Sequence, residues 1–265
     1  MNSGDGVRAW WALTRRELVR SARQPARIVA TIGTAAIVWG VLAGGFAESV
    51  QIGEDYAAYL APGAVAMVVL FTGVFGAMSL IEDREQGLLQ SALVSPAPTW
   101  AIAGAKLAGA ALWAFGQGAL LLPALALRQP IDAGAFAAGL VALAGLATGV
   151  TGICLAAAWI VRSSAAFHGV MNVVLMPMWL FSGAVFPTDG LSPWMRVLTL
   201  ANPMHWALAD VRHALDTTRQ PMWIGVVGFA VMGGGLCWFA TVRGRGTARD
   251  RAGSVDTGRM NTGSV

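Results

Sequence analysis

The sequence predicts an all-α integral membrane protein with six transmembrane helices, on three observations. Of its 265 residues 56% are hydrophobic and only 12% charged, about half the charged share of soluble domains. Mean hydropathy is +0.60. The apolar residues fall into six runs, 28–47, 57–81, 101–126, 134–160, 168–187 and 222–242, each long enough to cross a hydrocarbon core of about 30 Å. The predicted organisation is a cytoplasmic N-terminus at 1–27 with an amphipathic interfacial helix, a six-span domain at 28–242, and a disordered cytoplasmic tail at 243–265 rich in Gly, Arg, Ser and Thr.

The basic isoelectric point, near 9.8, does not require a nucleic-acid partner. With the N-terminus inside, 14 of the 18 Lys and Arg fall on the cytoplasmic side, as the positive-inside rule demands. Both termini are therefore expected in the cytoplasm. The loop after the first span carries Glu48, Glu54 and Asp55 and no Lys or Arg. No short apolar segment with a cleavage site precedes the first arginines, so the first span is expected to stay in the mature protein. Cys154 and Cys237 lie inside apolar runs and read as packing residues.

From 7 to 24 the periodicity is helical, with Val7, Trp11, Leu18 and Ala22 on one face and Arg16, Arg20, Arg23 and Arg27 on another. Such a helix is expected to lie along the cytoplasmic interface with its arginines at the headgroups. Pro25 ends it and turns the chain into the first span.

Between spans 2 and 3 stand four adjacent charges, Glu82, Asp83, Arg84 and Glu85. At mid-bilayer they would cost roughly 10 to 14 kcal/mol together, against about 0.5 gained per Leu, so they are expected in water. Residues 81–94 keep an amphipathic helical pattern, with Ile81, Leu88, Leu89, Ala92 and Leu93 opposite Glu82, Asp83, Gln86 and Gln90. The acids are then expected in the first turn of that helix, where the dipole favours them. Ser95-Pro96-Ala97-Pro98 stops it and Thr99 stands where it could cap the next helix. A short helix held on the cytoplasmic face implies something to dock against, although a plain solvated connector has the same composition.

After span 5, Ser192-Pro193 and Asn202-Pro203 each set a capping residue before proline, marking two successive helix starts. Residues 193–216 are too short and too polar to span twice, with His205, Asp210, Arg212 and His213, yet they carry Trp194, Val197, Leu198, Leu200 and Trp206. Two short external helices re-entering the outer leaflet meet both demands.

Several chemistries are disfavoured. Lys106 is the single lysine and no Gly-Lys pair exists, so the GxxxxGK[ST] phosphate loop is absent. No HExxH pair occurs, and Ser182 with His168 has no supporting geometry for a dyad. The span interiors hold no Asp or Glu, which disfavours ion coupling. Gln117, Thr148, Thr151 and Asn172 are the mild polar residues inside spans; each either bonds a neighbouring helix or faces a substrate path. Met171, Met176, Met178, Trp179 and Phe181 cluster in span 5, where they either pack the core or line a path for bulky apolar molecules.

The run EDREQGLLQSALVSPAP at 82–98, followed by Gly104 and Lys106, resembles the acid-x-Gly-x-Leu, Ser/Thr-Pro, Gly-Lys pattern of type-2 ATP-binding-cassette (ABC) transporter permeases. FSGAVFP at 181–187, ANP at 201–203, Arg212 and the N-terminal RREL and RQPAR segments are similar to the same family, particularly its drug-resistance and nodulation-factor export branch. Leu88 stands where many members carry Thr.

The resemblance implies a half-permease paired with a second permease subunit, expected to be an identical copy, and driven by two copies of a separate cytoplasmic ATPase. ATP and Mg would bind that partner, leaving this chain with no cofactor and no catalytic residue of its own. The 82–94 segment would be the coupling helix, with Glu82, Arg84, Glu85 and Gly87 docking the ATPase and Leu88, Leu89 and Leu93 filling its groove or anchoring the helix to the bundle. The helix at 7–24 would hinge the cytoplasmic side of the lateral gate. Gln117, Asn172, Met176, Trp179 and Phe181 would be candidates for the path of an amphipathic or lipophilic export substrate. The Arg-for-Lys bias and abundant Ala and Gly point to a GC-rich bacterial genome and a cytoplasmic membrane. A non-transporting structural or assembly subunit is the competing expectation; an integral membrane enzyme lacks an acid, base or metal constellation.

Overall fold

The computed structural model describes residues 3–46, 56–88, 97–126, 131–161, 163–188, 191–216 and 222–260. All regular structure among these residues is helical. The elements are α1 (Ser3–Ala22), α2 (Pro25–Phe46), α3 (Tyr56–Glu85), α4 (Thr99–Ala126), α5 (Ala133–Ile160), α6 (Ser164–Ala184), α7 (Pro193–Ala201), α8 (Pro203–Leu215) and α9 (Ile224–Met260). Six of them, α2 to α6 and α9, are long and apolar enough to cross a membrane. The chain is a multi-pass α-helical membrane protein.

Helix α3 is apolar on nearly every side, and such a helix must be surrounded by others. It forms the centre of the bundle, with α5 beside it and α2 and α4 against its flanks. Helix α9 packs along α5, while α8 covers one end of the α5 and α9 pair. Helices α2 and α6 are the least buried spans, and Val29, Ile37 and Val41 of α2 and Val173 and Val174 of α6 face outward. In a bilayer these faces meet lipid or another chain.

Helix starts follow local chemistry. Pro25 opens α2 at a two-residue elbow after α1. Asp132 caps α5 by accepting from the Ala135 amide at 2.7 Å, and Ser163 caps α6 by accepting from Ala166 at 3.2 Å. The two short helices expected after span 5 are α7 and α8. Asn202 caps α8 through the Met204 amide at 3.0 Å. Ser192, expected to do the same for α7, makes no capping bond; Pro193, with its preset φ, opens that helix unaided. Trp194, Val197, Leu198 and Leu200 project from α7 away from the bundle.

Hydropathy does not report the hydrogen-bond register of α6. Two of its segments, Met171–Leu175 and Leu180–Ala184, are π-helical, and its end is broken at Gly183, where φ is +83°. A glycine tolerates that conformation where other residues are strained. The freed carbonyls are taken up by neighbours. Gly183 O accepts from Tyr59 Oη at 2.7 Å and Arg212 Nη2 at 2.9 Å, Val185 O accepts from Tyr56 Oη at 3.1 Å, and Asn202 Nδ2 donates to Met178 O at 2.5 Å. The Arg212 guanidinium also lies 4.0 Å from the centre of the Tyr59 ring and donates to Tyr59 O at 2.7 Å. Asp210 accepts from the amides of Met222 and Val226 and so fastens the start of α9. The polar residues that forbid 193–216 from spanning thus tie the broken span to its neighbours. Replacing Arg212 by glutamine removes charged hydrogen bonds worth about 1.5–3 kcal/mol each. A fall in the thermal midpoint of several degrees is expected in micelles, and an unchanged midpoint would show that Tyr59 and Asn202 suffice.

The helix of the sixth span continues to Met260, through a stretch where sequence composition predicts an irregular tail.

Candidate functional site

The four charges that interrupt the apolar sequence occupy the last turn of α3, not the first turn of a new helix. Gly87 decides this. It adopts φ +75°, the left-handed conformation that ends helices, and its amide bonds back to Arg84 O at 3.2 Å. The expected helix over 81–94 is therefore broken at Gln86–Gly87, and the acids lie at the end of α3, where the helix dipole opposes anions. Residues 89–96, which include Leu89 and Leu93, lie outside the described residues.

Cations from three other helices offset that unfavourable placement. Asp83 is 2% exposed; water does not solvate it as its composition suggests. Lys106 of α4 places Nζ 2.5 Å from Asp83 Oδ2 and 2.7 Å from Glu17 Oε1 of α1. Arg20 Nη1 stands 2.6 Å from Asp83 Oδ1, and its Nη2 2.7 Å from Glu82 Oε2. Arg27, in the first turn of α2, reaches Glu82 Oε1 at 2.5 Å, and Arg16 lies 3.8 Å from Asp83. Burial alone would lower the Arg20 pKa, but Asp83, Glu17 and Glu82 outweigh it and raise it above the usual guanidinium value. Desolvated charges persist only when paired and hydrogen-bonded, and here Glu17, Glu82 and Asp83 each have a cation within 3 Å.

The seam clamps α1 onto the bundle. Small residues of α4 let α1 approach closely: Gly104 faces the Trp10 indole and Gly109 the Glu17 and Thr14 segment. Val7 and Trp11, on the expected apolar face, are exposed, whereas Thr14 and Glu17 are buried. Helix α1 thus presents its apolar side outward and its acid inward. Arg20 and Arg27, expected at headgroups, are engaged by α3.

The proposed docking residues separate into two sets. Glu82 and Arg84 have partners within the chain. Arg84 donates to Val161 O at 2.8 Å and Trp159 O at 3.3 Å, capping the end of α5, and lies 5.7 Å from the Trp159 ring. Glu85, Gln86 and Leu88 project outward around the Gly87 turn, with a long 3.5 Å contact from Ser164 Oγ to Glu85 Oε1. They form an exposed knuckle on a base fixed to α1, α2, α4 and α5.

The residues considered for a substrate path are not brought together. Asn172 and Met176 are exposed on α6, and Phe181 packs edge-on to Trp194. Trp179 is buried and donates to Gly63 O at 3.0 Å. Gln117 lies elsewhere, in a polar crevice among α1, α2, α3 and α4, and accepts from Thr31 at 2.7 Å and Thr72 at 3.1 Å. Thr148 bonds its own helix, and the Thr151 hydroxyl has no partner among the described residues. Among the described residues no cluster of His, Cys, Asp and Glu could hold a metal ion.

Sequence reasoning missed Glu17 and the role of Lys106. A lone lysine in an apolar helix is itself the signal, because an ionisable residue in a span needs a partner; the partner is 89 residues away and invisible to local periodicity.

A six-span helical bundle with a charged knuckle on one end of a buried span, and a broken span braced by two short helices, defines a membrane permease domain. Residues 8–215 match the model of the ABC-2 type transporter family, and the chain belongs to that family. It is 31% identical over 173 residues to the "Probable multidrug ABC transporter permease YbhR" of Escherichia coli strain K12, and equally to the protein of that name from Escherichia coli O157:H7. The match covers 63% of this chain and 44% of each relative, so the chain spans less than half the length of the curated relatives it matches.

Proposed function

We propose that the chain is the transmembrane subunit of an ATP-driven exporter that moves amphipathic or lipophilic molecules across a bacterial cytoplasmic membrane. ATP and Mg bind a separate nucleotide-binding subunit, present in two copies, and a second permease subunit, an identical copy of this chain, completes the pathway. The charged end faces the cytoplasm, as do both termini. The observation that carries this reading is the exposed knuckle at Glu85–Leu88 on a fixed base. A push on it passes through Glu82 and Asp83 to α1 and α2, and through Arg84 to the end of α5. Glu85, Gly87 and Leu88 make the contact with the ATPase, joined by Leu89 and Leu93, while Glu82 and Arg84 transmit it. The outward faces of α2 and α6, including Asn172 and Met176, are the surfaces available to a second copy or to substrate. The relative named as a probable multidrug permease supports a drug-type substrate.

Charge reversal at Glu85 tests this. In membranes containing Glu85→Lys and the cognate ATPase, stimulated hydrolysis is expected to fall at least tenfold, about 1.4 kcal/mol of coupling, with the permease still at wild-type abundance. Normal stimulation and transport in that variant would contradict the proposal.

A further inference from the structure

Lys106 is the single lysine of the chain, and only 9% of it is exposed. Its ammonium is largely closed off from solvent by the packing of α1, α3 and α4, and one residue of the knuckle takes part in that closure. Leu88 lines the same small cavity as Glu17, Asp83 and Lys106, together with Leu13 of α1 and Ile102 of α4. The cavity encloses about 20 Å³, room for a single water molecule.

The apolar part of this lining has a physical task. An ion pair in a dry setting attracts strongly, whereas water admitted beside it screens the charges and offers each a competing partner. Ile102 is buried and Leu13 partly so, each held within its own helix, but Leu88 is 42% exposed. The left-handed turn at Gly87, with φ +75°, carries Leu88 back beside the acids instead of onward along α3. A Cβ on Gly87 would meet nothing within 4 Å, so this turn can pivot without displacing a neighbour. A movable apolar side chain thus stands between the buried charges and the surface offered to a partner.

We propose that Leu88 is the cover of the charged seam, and that an ATPase subunit engaging the knuckle draws Leu88 out, admits water to Lys106 and loosens α1 from α3. The lifting rests on the exporter reading above; the cover does not. Leu88 cannot fill the cavity and a groove on the partner at once. One side of it lies against the seam and the other faces outward, so it is the element that both sites share.

A single lysine makes the test direct. The full chain in micelles is pulsed with a water-soluble acetylating ester, and acetylation of Lys106 is read by peptide mass spectrometry against the α-amino group. Maleimide uptake at Cys154 and Cys237, both buried in spans, reports global unfolding. Without any ATPase, Lys106 is expected to react about tenfold faster or more in Leu88→Ser than in the wild type, with both thiols still protected. In Leu88→Met, which keeps an apolar cover, the rate is expected to stay within about twofold of the wild type. Should serine expose the thiols, Leu88→Ala decides by the same criterion. Equal Lys106 rates in the wild type and the truncated variant, with thiols protected, would overturn the cover. Adding the cognate ATPase and ATP is expected to raise the wild-type rate by roughly threefold or more and to change that of Leu88→Ser little. An ATPase that binds and hydrolyses ATP yet leaves the wild-type Lys106 rate unchanged would overturn the lifting of Leu88 while the exporter reading stood. An ATPase that does not bind the wild type at all would overturn the exporter reading, and the lifting with it, while the cover stood.

Discussion

Replacing Lys106 by methionine is expected to destabilise the protein by about 3–5 kcal/mol, the cost of breaking a buried ion pair from one side. Methionine has nearly the length and volume of the lysine stem, so the loss is one of charge and not of packing. In the wild type Nζ lies between Glu17 Oε1 and Asp83 Oδ2, and these carboxylates are 7% and 2% exposed. Without the ammonium, Asp83 retains Arg20, but Glu17 loses the one cation within 4 Å of it among the described residues and faces a second buried acid. Total stabilities of about 5–15 kcal/mol make this a large fraction of the whole. Denaturant unfolding in micelles, or the yield of monodisperse protein, measures it. The companion Lys106→Met/Glu17→Gln removes the stranded charge and is expected to recover more than half of the loss, since a neutral amide is far less costly to bury. A single variant as stable as the wild type would mean that water reaches the seam and that α1 is not clamped by it.

The same seam shows what the sequence could and could not tell. Six spans are legible because bilayer thickness imposes a minimum apolar length, and the runs at 28–47, 57–81 and 134–160 match α2, α3 and α5 to within a few residues at most ends. The short helices α7 and α8 are legible because proline after serine or asparagine is a local signal. The end of α3 is not. Glu82 to Glu85 suit either the end of one helix or the start of the next, and the choice turns on Gly87 adopting φ +75° and on cations brought from 55 to 63 positions away in the sequence. Charge-transfer costs rightly say that four charges cannot lie naked in hydrocarbon. They do not say whether water or arginine relieves them. The division of the docking set follows from that gap: Glu82 and Arg84 look alike in sequence to Glu85, and only the fold shows that they already have partners.

Introducing valine at Gly233 is expected to be comparably damaging, by about 3 kcal/mol or more, because it forces apart the two helices with the most extensive contact in the bundle. Gly145, Gly149 and Gly152 of α5 form a small-residue stripe of four-then-three spacing, and Val226, Phe229 and Gly233 of α9 answer it with three-then-four. A Cβ on Gly145 would fall 2.6 Å from Val226 Cγ2, and one on Gly149 would enter the Phe229 ring. At Gly152 and Gly233 the obstruction is backbone: a Cβ on either would overlap the peptide group of Gly233 or Gly149. Backbone cannot rotate aside as a flexible side chain can, so the helices must part along their length. Lipid chains are as apolar as the side chains they would replace, and close packing is what holds such a crossing together. Gly228, on the same helix, has nothing within 4 Å of the position its Cβ would take. Gly228→Val is therefore expected to stay within about 0.5 kcal/mol of the wild type. Unfolding of the pair in the same micelle separates packing from helix propensity, since both exchange glycine for valine in α9. Equal midpoints would mean that α5 and α9 are held by their termini, through α8 and Asp210, and that the glycine stripe is incidental.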